Sequence, residues 1–248
     1  GYSISANLSD NRNEVVDLGD TGPWKSSTTY TEVGLPFNSI YGYESMGLFQ
    51  SDEEVAEAPF QNSKTGAGDI RYKNQNGDDK IDANDRVVLG DPNPHFLYGL
   101  NLSFDYKNFD LGIFFQGIGQ QDRIVKDNFI RPLYDATFFE HQLDYWSPQN
   151  TNAKYPRILN KDDANHNYEN SDFWMINAGY LRMKNLTLGY TIPRNVLSST
   201  GFSRVRVYFT ANNLFTISDF VPGMDPEASS AWAYPFARTY SFGLNVQF

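Results

Sequence analysis

Apolar and polar residues alternate without a break from 238 to 248, RTYSFGLNVQF. Tyr240, Phe242, Leu244, Val246 and Phe248 fall on one face of an extended chain, and Thr239, Ser241, Gly243, Asn245 and Gln247 on the other, because strand side chains alternate with period two. One face is wholly apolar with aromatic ends. Tyr240 to Phe248 spans roughly 27 Å at ~3.3 Å per residue. Tilted by ~40°, that row rises roughly 20 Å, close to the ~25 Å apolar band of an outer-membrane barrel between its aromatic girdles. The same pattern recurs in LYGLNLSFDYKNFDLGIFFQG. Tyr98, Leu100, Leu102, Phe104 and Tyr106 face one way, and Phe109, Leu111, Ile113 and Phe115 resume the row after Lys107-Asn108. A two-residue turn pairs Tyr106 with Phe109, and paired residues share a face, so both apolar rows meet on one side of one sheet.

Further strands are expected from Tyr2 to Leu8, from Thr28 to Leu35, from Ser39 to Phe49, from Asn185 to Ile192 with an irregular lead-in over 180–184, and from Arg204 to Asn213. A short helix is expected over 52–58, with Asp52 as N-cap and Pro59 closing it. About eight strands result. Short turns (36–38, 107–108, 193–201) alternate with long connections, of which 118–179 and 215–237 lack periodicity. Transmembrane barrels show this asymmetry, with short periplasmic turns and long extracellular loops. The expected fold class is therefore all-β, an antiparallel transmembrane β-barrel wall whose long loops all lie outside the cell.

Composition narrows the choice. No apolar run approaches the ~18 residues of a membrane helix, whereas barrel strands hide their apolar residues in alternation. Phe (19) and Tyr (16) are abundant enough for an aromatic-belted wall, and the absence of Cys excludes disulfides and thiolate metal sites. A net charge of −10 leaves no basic stripe for nucleic acid. Gly1 opens on a strand-like run with neither an initiator Met nor a signal peptide, as in a processed or cut chain.

Five stretches carry a family resemblance: SIYGYESMGLFQSDEE, GDIRYKNQNGDDKIDANDRVVLGDPNPHFLYGLNLSFDYKNFDLGIFFQG, YLRMKNLTLGYTIP, RVYFTANNLFTISDF and YPFARTYSFGLNVQF. In this order, from about Gly34 to Phe248, they resemble the C-terminal barrel portion of SusC/RagA-type TonB-dependent outer-membrane receptors. The resemblance implies a 22-stranded barrel in the bacterial outer membrane, filled by a plug and lidded by a SusD-like surface lipoprotein. It also implies import of oligosaccharides or peptides with energy relayed by TonB. Residues 1–248 would then be barrel wall, with 51–96 an extracellular loop; nothing in them resembles the plug or the TonB box. The partners implied are the rest of the receptor, the lipoprotein, TonB, the substrate and membrane lipid. The competing reading is a soluble, calcium-containing β-sandwich that binds carbohydrate. It requires the outward apolar rows to be sealed between two sheets.

Within that loop, NQNGDDKIDAND at 74–85 has the spacing of a calcium loop. Side chains of Asn74, Asn76, Asp78, Asp82 and Asp85 and the carbonyl of Lys80 occupy the ligand positions, with Ile81 as apolar anchor. Asn74 stands where Asp is usual, and Asp79 where Gly makes the sharp turn. A solvated acidic turn held by its own Asx hydrogen bonds is the alternative. No catalytic site is expected, because His95, His141 and His166 have no metal-ligand spacing and no nucleophile elbow or P-loop occurs. Trp146, Trp174 and Trp232 are candidates for stacking on a ligand or touching the lipoprotein lid, or else for packing the loops together. Asn101, Ser103, Asp105, Asp110, Gln116, Thr187, Arg206 and Thr210 are expected to face the lumen.

Overall fold

The computed structural model describes residues 1–133, 138–159, 166–228 and 233–248. Its main sheet is an antiparallel meander of six long strands: β1 (Tyr2–Ser9), β2 (His95–Tyr106), β3 (Phe109–Gln120), β4 (Tyr180–Thr191), β5 (Arg204–Asn212) and β6 (Thr239–Gln247). Each wall strand pairs with the next in the chain. The short strand Thr216–Ser218 extends the sheet by pairing with the start of β4.

The register follows from the alternation. Tyr106 pairs with Phe109 across the turn at 107–108, where Lys107 takes a left-handed φ of 54°, and Leu102 pairs with Ile113. Leu188 pairs with Leu111 and Phe209, and Phe209 with Phe242, so the apolar rows line up across four strands. The irregular lead-in of β4 is a bulge: its register against β3 shifts between Met183 and Asn185, leaving Lys184 as the extra residue. Because neighbours run antiparallel, the connections 107–108 and 192–203 lie at one end of the wall. The long ones, 10–94, 121–179 and 213–238, lie together at the other.

Two expected wall strands are corrected. Residues 28–35 and 39–49 do not join the wall. Thr29–Thr31 and Ser39–Tyr43 belong to a separate four-stranded sheet with Trp24–Lys25 and Arg86–Gly90, and Ser45–Leu48 pairs with Ile70–Tyr72. Every residue of Ser39–Tyr43 is buried, so neither face is free to meet lipid. Gly42 allows this, since a Cβ there would lie 2.2 Å from the Asn170 carbonyl oxygen. Eight expected strands therefore become six of wall and a folded cap. Its core gathers Tyr43, Ile70, Tyr72, Ile81, Val125, Phe129, Ile130 and Trp174 from well-separated parts of the chain. Asp69 fastens it, accepting from Arg157 Nε at 2.7 Å and from Asn167 Nδ2 at 2.8 Å. The short helix α1 (Asp52–Glu57) forms as expected, but its N-cap is Ser51 rather than Asp52. The Ser51 hydroxyl accepts the Glu54 amide, while the Asp52 carboxylate turns to the Ala67 amide.

Candidate functional site

The outer face of the wall is apolar and uncovered. Phe242 is 85% exposed and Leu244 62%, with Ile4, Leu8, Phe104, Phe109, Leu188 and Val207 also exposed. Leu102 and Ile113 are only partly buried, by their neighbours within the sheet. Among the described residues no second sheet packs over these rows, which removes the β-sandwich reading. So large a contiguous apolar face is not a water-facing surface. Phe202 and Phe248 pack together at the short-turn end, where Tyr106 and Phe109 also sit, and so supply an aromatic margin.

The inner face is polar. Asn101, Ser103, Asp105 and Gln116 lie on it and are exposed, and Thr187 and Thr210 sit side by side with hydroxyls 3.2 Å apart. Arg206 donates from Nε to Asp110 Oδ1 at 2.9 Å across Gly189, where a Cβ would lie 2.4 Å from both partners. The sequence-derived lumen row is thus on one face. Among the described residues the outer edges of β1 and β6 have no pairing strand, and hydrocarbon cannot satisfy such backbone groups, so this sheet is an open arc and not a closed barrel.

At the long-loop end the inner face holds a charged knot that sequence reasoning missed. Arg182, 2% exposed, places Nη1 2.7 Å from Glu227 and also pairs with Asp225. Lys184, the bulge residue, reaches Glu227 at 2.6 Å, and the Tyr180 hydroxyl donates to the same carboxylate. Burial pushes the Asp225 carboxyl up. Donation from Arg182 and from the Glu227 and Phe236 amides outweighs this, so its pKa lies below the usual value. The knot binds the loop after β5 to the wall. The polar residues at 180, 182 and 184 were its only signal; their partners lie more than forty positions away.

In the cap, a recess of about 330 Å³ is lined by Phe129, His141, Lys154, Tyr155, Phe173 and Trp174 among others. Trp174 is 4% exposed and donates from Nε1 to the Asn167 carbonyl at 2.7 Å, so it forms the wall of the recess rather than a free stacking platform. Trp146 is buried against Gly68, where a Cβ would come within 2.3 Å of its ring, and donates to Gln50. Both pack the loops together. Trp232 lies outside the described residues.

The 74–85 segment closes on itself. Asn74 Oδ1 accepts the Gly77 amide at 2.6 Å, and Asn76 Oδ1 the Asp78 amide at 2.9 Å. Asp78 accepts the Lys80 amide at 3.0 Å, and Lys80 Nζ lies 2.6 Å from Asp82. Asp85 is fully buried, its oxygens accepting the Gln75 and Asp82 amides at 2.8 Å. Ile81 is buried in the cap core. Among the described residues no three acidic or His side chains are arranged to hold a metal ion. As arranged, these side chains cap backbone amides of their own turn.

A lipid-suited outer face, a polar inner face and long loops gathered at one end define the chain as an arc of transmembrane β-barrel, a fragment of a larger barrel. Comparison with known proteins agrees. The chain is 29% identical over its full length to TonB-dependent receptor P3 of Formosa agariphila and 28% identical to TonB-dependent receptor SusC of Bacteroides thetaiotaomicron, covering 27% and 24% of those proteins. The RagAB peptide transporter superposes with a TM-score of 0.77 over the whole of this chain at 22% identity, this chain covering 27% of the RagAB one; the RagAB peptide importer in its open-open state gives 0.76. No protein-family model matches. Along its whole length the chain is thus similar to a part of TonB-dependent receptors, SusC among them, and its fold matches the RagAB structures. It spans about a quarter of the length of the curated relatives it matches.

Proposed function

We propose that this chain forms wall and outer loops of an outer-membrane importer driven through TonB, with a SusD-like lipoprotein seated over the cap. The uncovered apolar face of the wall, set against a polar inner row, carries this reading. The role is mechanical: the wall encloses a path and the cap helps to retain cargo, and no group in it is assigned chemistry. The test uses the full receptor. It should partition with outer membranes, need detergent for extraction and migrate faster on a gel when unheated. Its deletion should abolish uptake. A monodisperse, detergent-free monomer would end the proposal.

The cargo is proposed to be an oligosaccharide, with a peptide as second reading. The peptide is favoured by the cap recess, whose lining offers few polar groups, chiefly His141, Lys154 and Tyr155, to a hydroxyl-dense sugar. Uptake of labelled oligosaccharide and peptide pools separates the two. Calcium at 74–85 is a separate proposal. It is supported by the oxygen-bearing side chains at 74, 76, 78, 82 and 85, and it requires Lys80 to release Asp82. Calcium added to chelator-treated receptor should then raise the melting temperature of the cap; an unchanged melt leaves the self-capped turn.

A further inference from the structure

The cap recess of about 330 Å³ is built largely from rings. His141 lies nearly parallel to Phe129 with centroids 6.4 Å apart, Tyr155 nearly parallel to Trp174 at 6.2 Å, and His141 meets Tyr155 at 5.6 Å with the planes tilted by 56°. Phe129 and Trp174 are buried and form the floor, whereas Tyr155 is partly exposed and Lys154 exposed, which puts the lysine at the mouth. His141 is held in place, because its Nε2 donates to the Phe129 carbonyl at 2.9 Å. Lys154 is not. Among the described residues its ammonium makes no hydrogen bond or ion pair, and it lies 5.9 Å from the centre of the Tyr155 ring. The carboxylate of Asp144, whose charge reaches Tyr155, is occupied elsewhere: Oδ1 accepts Asn150 Nδ2 at 3.0 Å, and Oδ2 accepts the backbone amide of Lys154 at 3.3 Å. An apolar slot with one unneutralised cation at its mouth results, in a chain whose net charge is −10.

We propose that this recess is a subsite for the last residue of a peptide cargo, an aromatic or aliphatic residue whose free carboxylate meets Lys154. The occupant has to bring an apolar body and an anion close together. A C-terminal apolar residue does so, since its carboxylate and its side chain leave the same carbon. An acidic side chain has the anion without the body, and a neutral sugar has neither. Contact with Phe129 and Trp174 supplies affinity without direction, and the ammonium selects the chain end. The volume stands at the lower limit of the ~300–1,000 Å³ usual for ligand cavities, so it suits one residue rather than a whole oligomer. The inference rests on the peptide reading of the cargo, and its test separates the two.

In titration calorimetry of the intact receptor in detergent, a tripeptide ending in Phe should bind roughly tenfold more tightly than the same tripeptide amidated at its C-terminus, the scale of one charged hydrogen bond. A tripeptide ending in Ser should also bind more weakly. Lys154→Met should weaken the free acid roughly tenfold and leave the amide unchanged, so that the two converge. Lys154→Arg should keep the preference for the acid. A merely structural role for Lys154 would weaken acid and amide alike. Equal affinity for acid and amide in the unsubstituted receptor, or equal losses in Lys154→Met, overturns the subsite and leaves peptide import standing. Uptake of oligosaccharide with no binding of any peptide overturns the peptide reading and the subsite together.

Discussion

The wall and the cap use similar residues for opposite ends. On the wall, Phe242 is 85% exposed, while in the cap Tyr43 is 3% exposed and Ile70 fully buried. The wall is one sheet thick, so its apolar row has no protein to meet and needs hydrocarbon. The cap stacks short strands, turns and 3₁₀ segments around a common centre, as a water-soluble domain does. One polypeptide thus carries two solvents' worth of design. The boundary falls where long strands give way to the long-loop end, and there the charged knot of Arg182, Lys184, Asp225 and Glu227 joins the two regions.

This contrast can be broken from either side. Trp174→Ala should cost the cap about 3–5 kcal/mol, as for other large aromatic truncations in a core, and expose it to protease. Unheated gel migration of the full receptor should not change, because the wall does not depend on that core. Leu244→Arg, midway along the outward row of β6, should cost about 2–4 kcal/mol in a bilayer and leave cap proteolysis unaltered. Denaturant titration in lipid vesicles reads this effect. If the substitution is neutral there, lipid does not cover the row.

The smallest expected effect belongs to His166. Burial lowers its pKa in the cap, beside the Tyr43 ring. The unfolded chain therefore binds a proton at higher pH than the folded one. Cap stability should be full above about pH 6.5, the ordinary His value, and decline as pH falls from there toward the lowered folded value. His166→Gln should flatten that decline. A cap melting profile between pH 7.5 and 5 checks it; a profile unchanged by the substitution would move the pH sensitivity elsewhere.

Much of the wall was legible because alternation is a local property. Tyr106-Lys107-Asn108-Phe109 alone specified a hairpin, its register and its shared face. The two strands misassigned to the wall, 28–35 and 39–49, are rich in the same β-favouring residues, and propensity does not distinguish a lipid neighbour from a protein one. Burial of both faces of Ser39–Tyr43 did. The candidate site was less legible. Trp146 and Trp174 have the composition of a ligand platform, yet Gly68 and the Asn167 carbonyl fix them as packing. The oxygen spacing of 74–85 could not disclose that Asp85 would be used on backbone amides.

By itself, then, the order of residues determined the six strands of the wall, which face each of their side chains takes and which of their connections are short, since these depend on neighbours two to ten positions away. Only the tertiary structure decided that Arg182 meets Asp225, that Asp69 meets Arg157, and that Arg206 meets Asp110. Those outcomes depend on how far-separated segments come together. Whether a charge is neutralised is settled by distance in space, which local periodicity does not encode.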